Sequence, residues 1–275
     1  MPHFTAPDGL SLWYEDTGEG LPLLCLSGLT RTTRDFDHVA PHLSGVRMIR
    51  MDYRGRGKSD WAEWKTYDPA VEMADALKLL DDLGVEKAAV LGTSRGGLIG
   101  MMMAATRKDR LLGLAMNDVG AVVSGAGLQA IRGYLGKHPE QATVEEAARA
   151  KMAQNAAAFP GVPLGRWITE VENATDMTPE GLRLNYDPGL VTATEAGGPV
   201  EGDIALWPLF EAIAPLPCAV IHGENSDLLT RETVEEMARR NPDLIVAHVP
   251  DRAHIPFLDE PEALAALTAW LEQLK

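Results

Sequence analysis

The sequence predicts an α/β fold: a mostly parallel, eight-stranded twisted sheet with helices on both faces and an inserted α-helical cap. Apolar runs of strand length alternate with helical patterns over the first 120 residues, and such alternation is typical of a parallel sheet covered by helices. No convincing strand pattern is present between residues 121 and 203, and the alternation resumes after that segment. We therefore expect a core of residues 1–120 and 204–275, with residues 121–203 forming the cap.

Turn signals and apolar periodicity place the individual elements of the core. Pro7-Asp8-Gly9 separates two strands that form a first hairpin. One helix is expected over residues 69–83, and the last helix begins near Pro261. The six strands that follow the hairpin are expected at residues 22–26, 46–53, 88–91, 112–117, 218–222 and 244–249.

The cap region has helix signals of its own. Thr143 and Glu146 form a capping-box pattern, which predicts a helix that Pro160-Gly161 ends. A second helix is expected over residues 164–175. Residues 186–202 contain four glycines and two prolines, a composition that predicts a loop.

Composition argues against several classes of partner. The formal net charge of −15 at pH 7 disfavours nucleic acid and anionic membranes. No apolar run approaches the roughly 20 residues that a membrane helix needs. The N-terminus lacks a basic stretch followed by an apolar one, so we expect no signal peptide and a cytoplasmic location. No His/Cys/Asp group has metal-ligand spacing. We expect no metal, no cofactor, a small-molecule substrate, and a monomer or homodimer.

The most informative motif is Gly92-Thr93-Ser94-Arg95-Gly96. It directly follows a predicted strand and directly precedes a helical stretch, which is the context in which G-x-S-x-G forms a nucleophile elbow. The flanking glycines are needed because the serine backbone is strained and a Cβ on either side would collide with the turn. The helix N-terminus behind the serine favours developing negative charge. The motif therefore predicts Ser94 as a catalytic nucleophile.

A serine nucleophile needs a base and a third group that orients the base. In a parallel sheet, such groups lie just beyond the carboxyl ends of the strands. Asp227 follows the seventh predicted strand and His254 follows the eighth, which gives the chain order Ser, Asp, His. Two other carboxylates could orient the base instead of Asp227. They are Glu224 in the same loop and Asp118 after the sixth strand.

With these motifs the chain resembles the α/β-hydrolase fold family, in the group that carries a helical cap. The likeness runs from the first hairpin to the last helix. Besides the elbow, its most specific stretches are Asp52-Tyr53-Arg54-Gly55-Arg56-Gly57-Lys58-Ser59-Asp60 and Ala253-His254-Ile255-Pro256-Phe257-Leu258-Asp259-Glu260-Pro261-Glu262. These stretches are specific for the fold and the triad, and they say little about the substrate.

The resemblance implies a serine hydrolase with Ser94 as nucleophile, His254 as base and Asp227 as the orienting acid. The reaction expected from it is cleavage of a carboxylic ester or lactone of a small to medium apolar substrate, through an acyl-enzyme. Three alternatives share the fold: a hydrolase of carbon–carbon bonds, a cofactor-free peroxidase or perhydrolase, and a non-catalytic ligand receptor.

The resemblance also implies an oxyanion hole made of the backbone N–H groups of Leu29 and Arg95. Many relatives have His before Gly in the first of these loops, whereas this chain has Ser27, a departure that concerns the packing of the loop. The side chain of Arg95 has two alternative roles, a structural pair with a carboxylate or contact with an anionic substrate group. The substrate-binding candidates are Leu29, Arg95, Trp167, Trp207, Leu228 and Ile255.

Overall fold

The structure, a computed structural model, describes residues 2–275. The described residues form twelve strands, which in chain order are β1 (His3–Thr5), β2 (Ser11–Gly18), β3 (Leu21–Leu26), β4 (Val46–Met51), β5 (Ala88–Thr93), β6 (Leu111–Asn117), β7 (Val122–Val123), β8 (Thr175–Thr178), β9 (Gly181–Leu184), β10 (Ile204–Ala205), β11 (Cys218–Gly223) and β12 (Ile245–Val249). The α-helices of the same residues are α1 (Pro69–Asp82), α2 (Arg95–Thr106), α3 (Gly125–Tyr134), α4 (Val144–Gln154), α5 (Leu164–Ala174), α6 (Gly189–Ala196), α7 (Trp207–Glu211), α8 (Arg231–Arg240) and α9 (Pro261–Glu272).

Eight of the strands form one sheet in the order β1-β2-β4-β3-β5-β6-β11-β12. The pairs β1–β2 and β2–β4 are antiparallel, and every other neighbouring pair is parallel. The predicted mostly parallel, eight-stranded sheet is therefore confirmed. No helix among residues 2–275 is both long and apolar enough to cross a bilayer.

The continuous apolar runs of the central strands arise because both faces of the sheet are covered. In β3, Leu24 and Leu26 belong to one buried cluster, whereas Leu23 and Cys25 belong to the other. Side chains alternate between the faces of a strand, so a strand buried on both faces must be apolar at every position. Helices α1 and α2 supply buried residues to the first cluster, and α9 supplies Leu267 and Trp270 to the second.

The segment of residues 121–203 (the inserted segment below) contains the predicted helices and additional elements. Helices α4 and α5 lie where they are expected, and α4 begins with a full capping box. The structure adds an antiparallel β8–β9 hairpin and the short β7, which pairs with β10. It also places α6 within the segment expected to be a loop. Burial of Leu190 on α6 and Leu182 on β9 against neighbouring side chains stabilises these elements despite the weak local signal.

The parallel strands bring several loops to one edge of the sheet. The strands β3, β5, β6, β11 and β12 all end at this edge, because they run in the same direction. The loops that follow them carry the glycine-rich turn after β3, the elbow after β5 and the histidine loop after β12. Helices α3, α4 and α5 of the inserted segment lie over the same edge. Residues of these helices and of the edge loops together enclose a cavity.

Candidate active site

Ser94 sits on a sharp turn between β5 and α2. Its φ is +50°, a positive value that residues other than glycine rarely adopt. Its N–H donates to the Asn117 carbonyl oxygen at 2.8 Å, which fixes the turn against the end of β6. A Cβ added to Gly96 would lie 1.9 Å from the Leu26 carbonyl oxygen, and one on Gly92 would lie 2.4 Å from the backbone of Gly97. Only glycine permits this close approach, and the turn presents the Ser94 side chain at the cavity.

A continuous hydrogen-bonded chain joins Ser94, His254 and Asp118. The Nε2 atom of His254 lies 3.0 Å from the Oγ of Ser94, and its Nδ1 lies 2.8 Å from Oδ2 of Asp118. An ionised carboxylate can only accept, so the Nδ1 atom carries the proton and Nε2 is left as an acceptor for the serine hydroxyl. This is the geometry that a base needs to remove the Ser94 proton.

The carboxylate at the ring of His254 belongs to Asp118, and the expectation for Asp227 needs correction. Asp118 is fully buried, and it also accepts from the Gly223 N–H at 2.9 Å and from the Ser226 hydroxyl at 2.5 Å. Asp227 is exposed. The loop after β11 therefore supplies Ser226 as a donor to Asp118 and does not supply the acid.

Register explains why Asp118 reaches the histidine. Thr93 at the end of β5 pairs with Asn117 at the end of β6, so Ser94 and Asp118 occupy equivalent positions one residue beyond neighbouring strands. Asp118 also has a φ of +53°, and its N–H donates to the Ile221 carbonyl oxygen at 2.8 Å. Asp118 is one of the alternatives that the sequence leaves open, and its positive φ directly after a strand is the feature that no sequence pattern reveals.

The peptides that end in the Leu29 and Arg95 N–H groups each have a direction set by a hydrogen bond to their carbonyl oxygen. In a trans peptide the C=O and N–H point in opposite directions. The Ser94 carbonyl accepts from Gly97 N–H at 3.0 Å within the first turn of α2, so the Arg95 N–H points out of the helix. The Gly28 carbonyl accepts from Arg31 N–H at 3.1 Å, so the Leu29 N–H points the other way. The N–H groups of Leu29 and Arg95 therefore stay the predicted oxyanion donors.

The Arg95 side chain is turned away from the cavity. Its Nε donates to the buried Glu72 carboxylate at 2.6 Å, and one terminal nitrogen donates to the Tyr67 carbonyl oxygen at 2.9 Å. Glu72 also pairs with the buried Arg56 at 2.8 Å. Of the two alternatives, the structure shows the carboxylate pair, and Arg95 does not line the cavity.

A cavity of about 630 Å³ lies between the sheet edge and the inserted segment, with Ser94 and His254 in its wall. Among the substrate-binding candidates, Leu29, Trp167 and Ile255 line it. Trp207 and Leu228 do not, and these two expectations are wrong. Trp207 packs edge-on to Phe210 beneath the guanidinium of Arg240, and Leu228 belongs to the main core cluster.

The cavity wall is more polar than the sequence analysis expected for an apolar substrate. Trp167, Phe159 and Phe257 form an aromatic group that supplies its apolar side, and their rings lie 5.7–6.5 Å apart between centroids. Charged side chains from both sides of the cavity also contribute. They are Arg31 and Asp35 from the core, and Lys137, Glu140, Lys151 and Glu170 from the inserted segment. Sequence reasoning missed these six, because their separation along the chain gives no sign that they meet.

No group of three or more His, Cys, Asp or Glu side chains among residues 2–275 has the arrangement of a metal site.

Comparison with known proteins identifies the family of the chain. A model of the alpha/beta hydrolase family matches residues 23–267 of the chain. A 3-hydroxybutyrate-oligomer hydrolase from Cupriavidus necator is 38% identical over 254 residues, which cover 88% of this chain and 85% of that protein. A putative non-heme bromoperoxidase from Mycobacterium tuberculosis is 26% identical and covers 93% of this chain and 95% of its own length.

Solved structures include a similar molecule. The crystal structure of an alpha/beta hydrolase from Novosphingobium aromaticivorans superimposes with a TM-score of 0.91 and 36% identity, covering 99% of this chain and 97% of that one. The whole chain, including the inserted segment, therefore has a counterpart of known structure.

Proposed function

Because the chain belongs to the alpha/beta hydrolase family, we propose that it is a serine hydrolase that cleaves carboxylic esters through Ser94, His254 and Asp118. The observation that carries this proposal is the imidazole of His254, which lies 3.0 Å from the Ser94 hydroxyl and 2.8 Å from the buried Asp118 carboxylate. Three groups in this arrangement support nucleophilic catalysis, and two of them, Ser94 and His254, lie in the wall of a cavity large enough for a small ligand.

The proposed mechanism uses the groups in two steps. His254 Nε2 takes the proton as Ser94 Oγ attacks the ester carbonyl, and Asp118 stabilises the imidazolium that forms. The carbonyl oxygen becomes an anion and accepts from the N–H groups of Leu29 and Arg95. The intermediate then collapses: the alcohol leaves with the proton from His254, and an acyl group remains on Ser94. A water molecule, deprotonated by His254, attacks this acyl group and releases the acid.

For the substrate, we propose esters of short hydroxy acids, of the kind named for the Cupriavidus relative. The identity of 38% over 88% of the chain supports this class. The mixed wall of the cavity also supports it, because an oligoester alternates carbonyl oxygens with short alkyl groups and needs both polar and apolar neighbours. A long alkyl ester would displace water from the charged side chains of the wall and offer them no polar atoms in exchange, which is unfavourable.

The experiment that tests the function is turnover of 3-hydroxybutyrate dimer and trimer, short nitrophenyl esters and several lactones by the wild type and Ser94→Ala. We expect the oligomers to be cleaved and the substitution to lower kcat by about 10⁶-fold, since the nucleophile is lost. A carbon–carbon bond substrate and a peroxide-dependent halogenation assay serve as comparisons. Undiminished ester turnover by Ser94→Ala would reject the mechanism, and halogenation without ester cleavage would reject the reaction.

A further inference from the structure

A buried ion network joins the inserted segment to the loop beside Ser94. Arg31, on the loop after β3, donates from two terminal nitrogens to Oε2 of Glu170 on α5, at 2.9 and 3.1 Å. The Nε of Arg31 donates to Asp35. The side chains of Asp35 and Glu170 are 5% and 8% exposed, and that of Arg31 is 28% exposed. Such a network holds its members in one geometry, because each buried charge depends on its partner.

Arg31 also packs directly on the loop that carries the Leu29 N–H. The Arg31 N–H donates to the Gly28 carbonyl oxygen at 3.1 Å, and the Ser27 hydroxyl donates to the Arg31 carbonyl oxygen at 3.1 Å. The position that a Cβ of Gly28 would occupy lies 3.1 Å from Cδ of Arg31 and 3.9 Å from Cβ of Ser94. Gly28 is therefore held between the Arg31 side chain and the serine. A displacement of Arg31 would act on the peptide that ends in the Leu29 N–H through the hydrogen bond from the Arg31 N–H to the Gly28 carbonyl oxygen.

The charges of this network are balanced across the cavity. Arg31 is paired with two carboxylates, which leaves one negative charge in excess. Lys151 on α4 makes no ion pair among residues 2–275, and it lines the same cavity near Glu170 and Arg31. Burial raises the pKa of Asp35, and the Arg31 charge opposes this increase. The charges of Arg31, Asp35, Glu170 and Lys151 sum to zero when all four groups are charged. Lys151 and Glu170 lie on α4 and α5, so this balance depends on how these two helices pack on the core.

We propose that Glu170 is a positioning residue, which acts through Arg31 to hold Gly28 and Leu29 at Ser94 and so couples the seating of the inserted segment to the oxyanion hole. This inference rests on the proposed serine-hydrolase function. Glu170 contributes to the rate because the Leu29 N–H is aligned with the developing oxyanion only while the Glu170–Arg31 contact is made. Ser27 belongs to the same arrangement, because its hydroxyl donates to the Arg31 carbonyl oxygen.

The test is Glu170→Gln, which keeps the size of the side chain and removes its charge. Loss of a whole oxyanion donor costs about 10²–10³ in kcat, so a misaligned donor is expected to lower kcat by about 10- to 100-fold. KM should change by less than about threefold, since the ground-state ester does not depend on the hole. The same factor in kcat is expected for a small nitrophenyl ester and for the hydroxybutyrate trimer. A boronic acid, which forms a tetrahedral anion on Ser94, should lose affinity in parallel with kcat.

Asp259→Asn provides the matched control. Asp259 pairs with Arg166 on the same helix α5, so this substitution also breaks a charged contact between the inserted segment and the core. It leaves the loop of Gly28 and Leu29 untouched. We expect the Tm of Asp259→Asn to fall by about as much as that of Glu170→Gln, with an unchanged kcat. Arg31→Lys, which keeps the charge but loses the planar fork, should reproduce the kcat effect and covers the case in which Glu170→Gln fails to fold.

The coupling would be overturned by any of three results. These are an unchanged kcat in Glu170→Gln, an equal loss in Asp259→Asn, or an effect confined to KM of one substrate, which would indicate direct contact between Glu170 and that substrate. Each of these results is compatible with an inactive Ser94→Ala variant, so failure of the coupling is distinguishable from failure of the proposed hydrolase function.

Discussion

At the scale of single residues, the third member of the proposed triad depends on backbone direction. Asp118 and Asp227 both follow strands that end at the active edge of the sheet, and composition does not distinguish them. Asp118 is one residue beyond β6, has a positive φ, and is fully buried against His254. Asp227 lies four residues beyond β11 and is exposed. The backbone direction at Asp118, with its positive φ directly after the strand, thus brings this carboxylate to the imidazole.

Replacing Asp118 by Asn is expected to lower kcat/KM on ester substrates by about 10⁴-fold. The Gly223 N–H would continue to bind the side-chain oxygen, so the new amide nitrogen would face Nδ1 of His254. An amide N–H at that position forces Nδ1 to accept a hydrogen bond, so the ring proton moves to Nε2. The protonated Nε2 can no longer take the proton of Ser94. Steady-state kinetics of the purified variant measures this loss.

Asp227→Asn is the matched control, since it makes the same chemical change in an exposed side chain. Its kcat/KM should remain within about twofold of the wild type. If Asp227→Asn lost activity as strongly as Asp118→Asn, the assignment of the acid to Asp118 would be wrong.

At the scale of secondary-structure elements, periodicity and turn chemistry predicted the core well. The strands of the sheet, α1 and α9 lie within a few residues of their expected bounds, because these elements are long or buried on both faces. Helix α6 and the β8–β9 hairpin were missed, since both are short and rich in glycine, threonine or charge. Their stability comes from contacts made by Leu190 and Leu182 with distant residues, which no local pattern reveals.

Strands β11 and β12 carry a pair of histidines that makes the stability of the sheet depend on pH. His222 and His248 are register partners, and their Nδ1 atoms lie 2.9 Å apart. The Nε2 atom of His222 lies 3.0 Å from the Leu229 carbonyl oxygen, so it carries the proton and leaves Nδ1 as an acceptor. Burial lowers the pKa of His222, although nearby Asp118 opposes the effect, and burial together with the Arg231 charge lowers the pKa of His248.

The unfolded chain therefore binds more protons than the folded one as the pH falls through about 6.5. The free energy of unfolding should decrease from pH 7.5 to pH 5.5, and the decrease should be smaller in His248→Gln than in the wild type. Urea unfolding at several pH values measures the slope. His42→Gln, at an exposed histidine, should retain the wild-type slope. An unchanged slope in His248→Gln would show that the acid sensitivity has another source.

At the scale of the whole molecule, the proposed site is formed by two parts of the chain that the sequence keeps apart. The core supplies Ser94, His254 and Asp118, and the inserted segment supplies Trp167, Lys151 and Glu170 to the opposite wall of the cavity. The elbow motif led to the serine, and the order of the strands together with the resemblance to a known family led to the histidine. The charged wall could not be predicted in the same way, because it depends on how α4 and α5 are oriented over the sheet edge.

The net charge of −15 predicts how salt affects the proposed substrates. A free hydroxybutyrate dimer carries a carboxylate, and its approach is opposed by the field of an acidic protein. Salt screens this repulsion, with a Debye length that shortens from about 30 Å at 0.01 M to about 10 Å at 0.1 M. We expect kcat/KM for the free dimer to rise about two- to threefold over this range, whereas kcat/KM for its methyl ester should stay constant.

A fall in kcat/KM with salt for the free dimer would mean that Lys137 and Lys151, which line the cavity, attract the carboxylate more strongly than the rest of the protein repels it. Initial rates for the two substrates, measured in parallel at each salt concentration, separate these outcomes, because any effect of salt on folding or on the chemical step would change both rates equally.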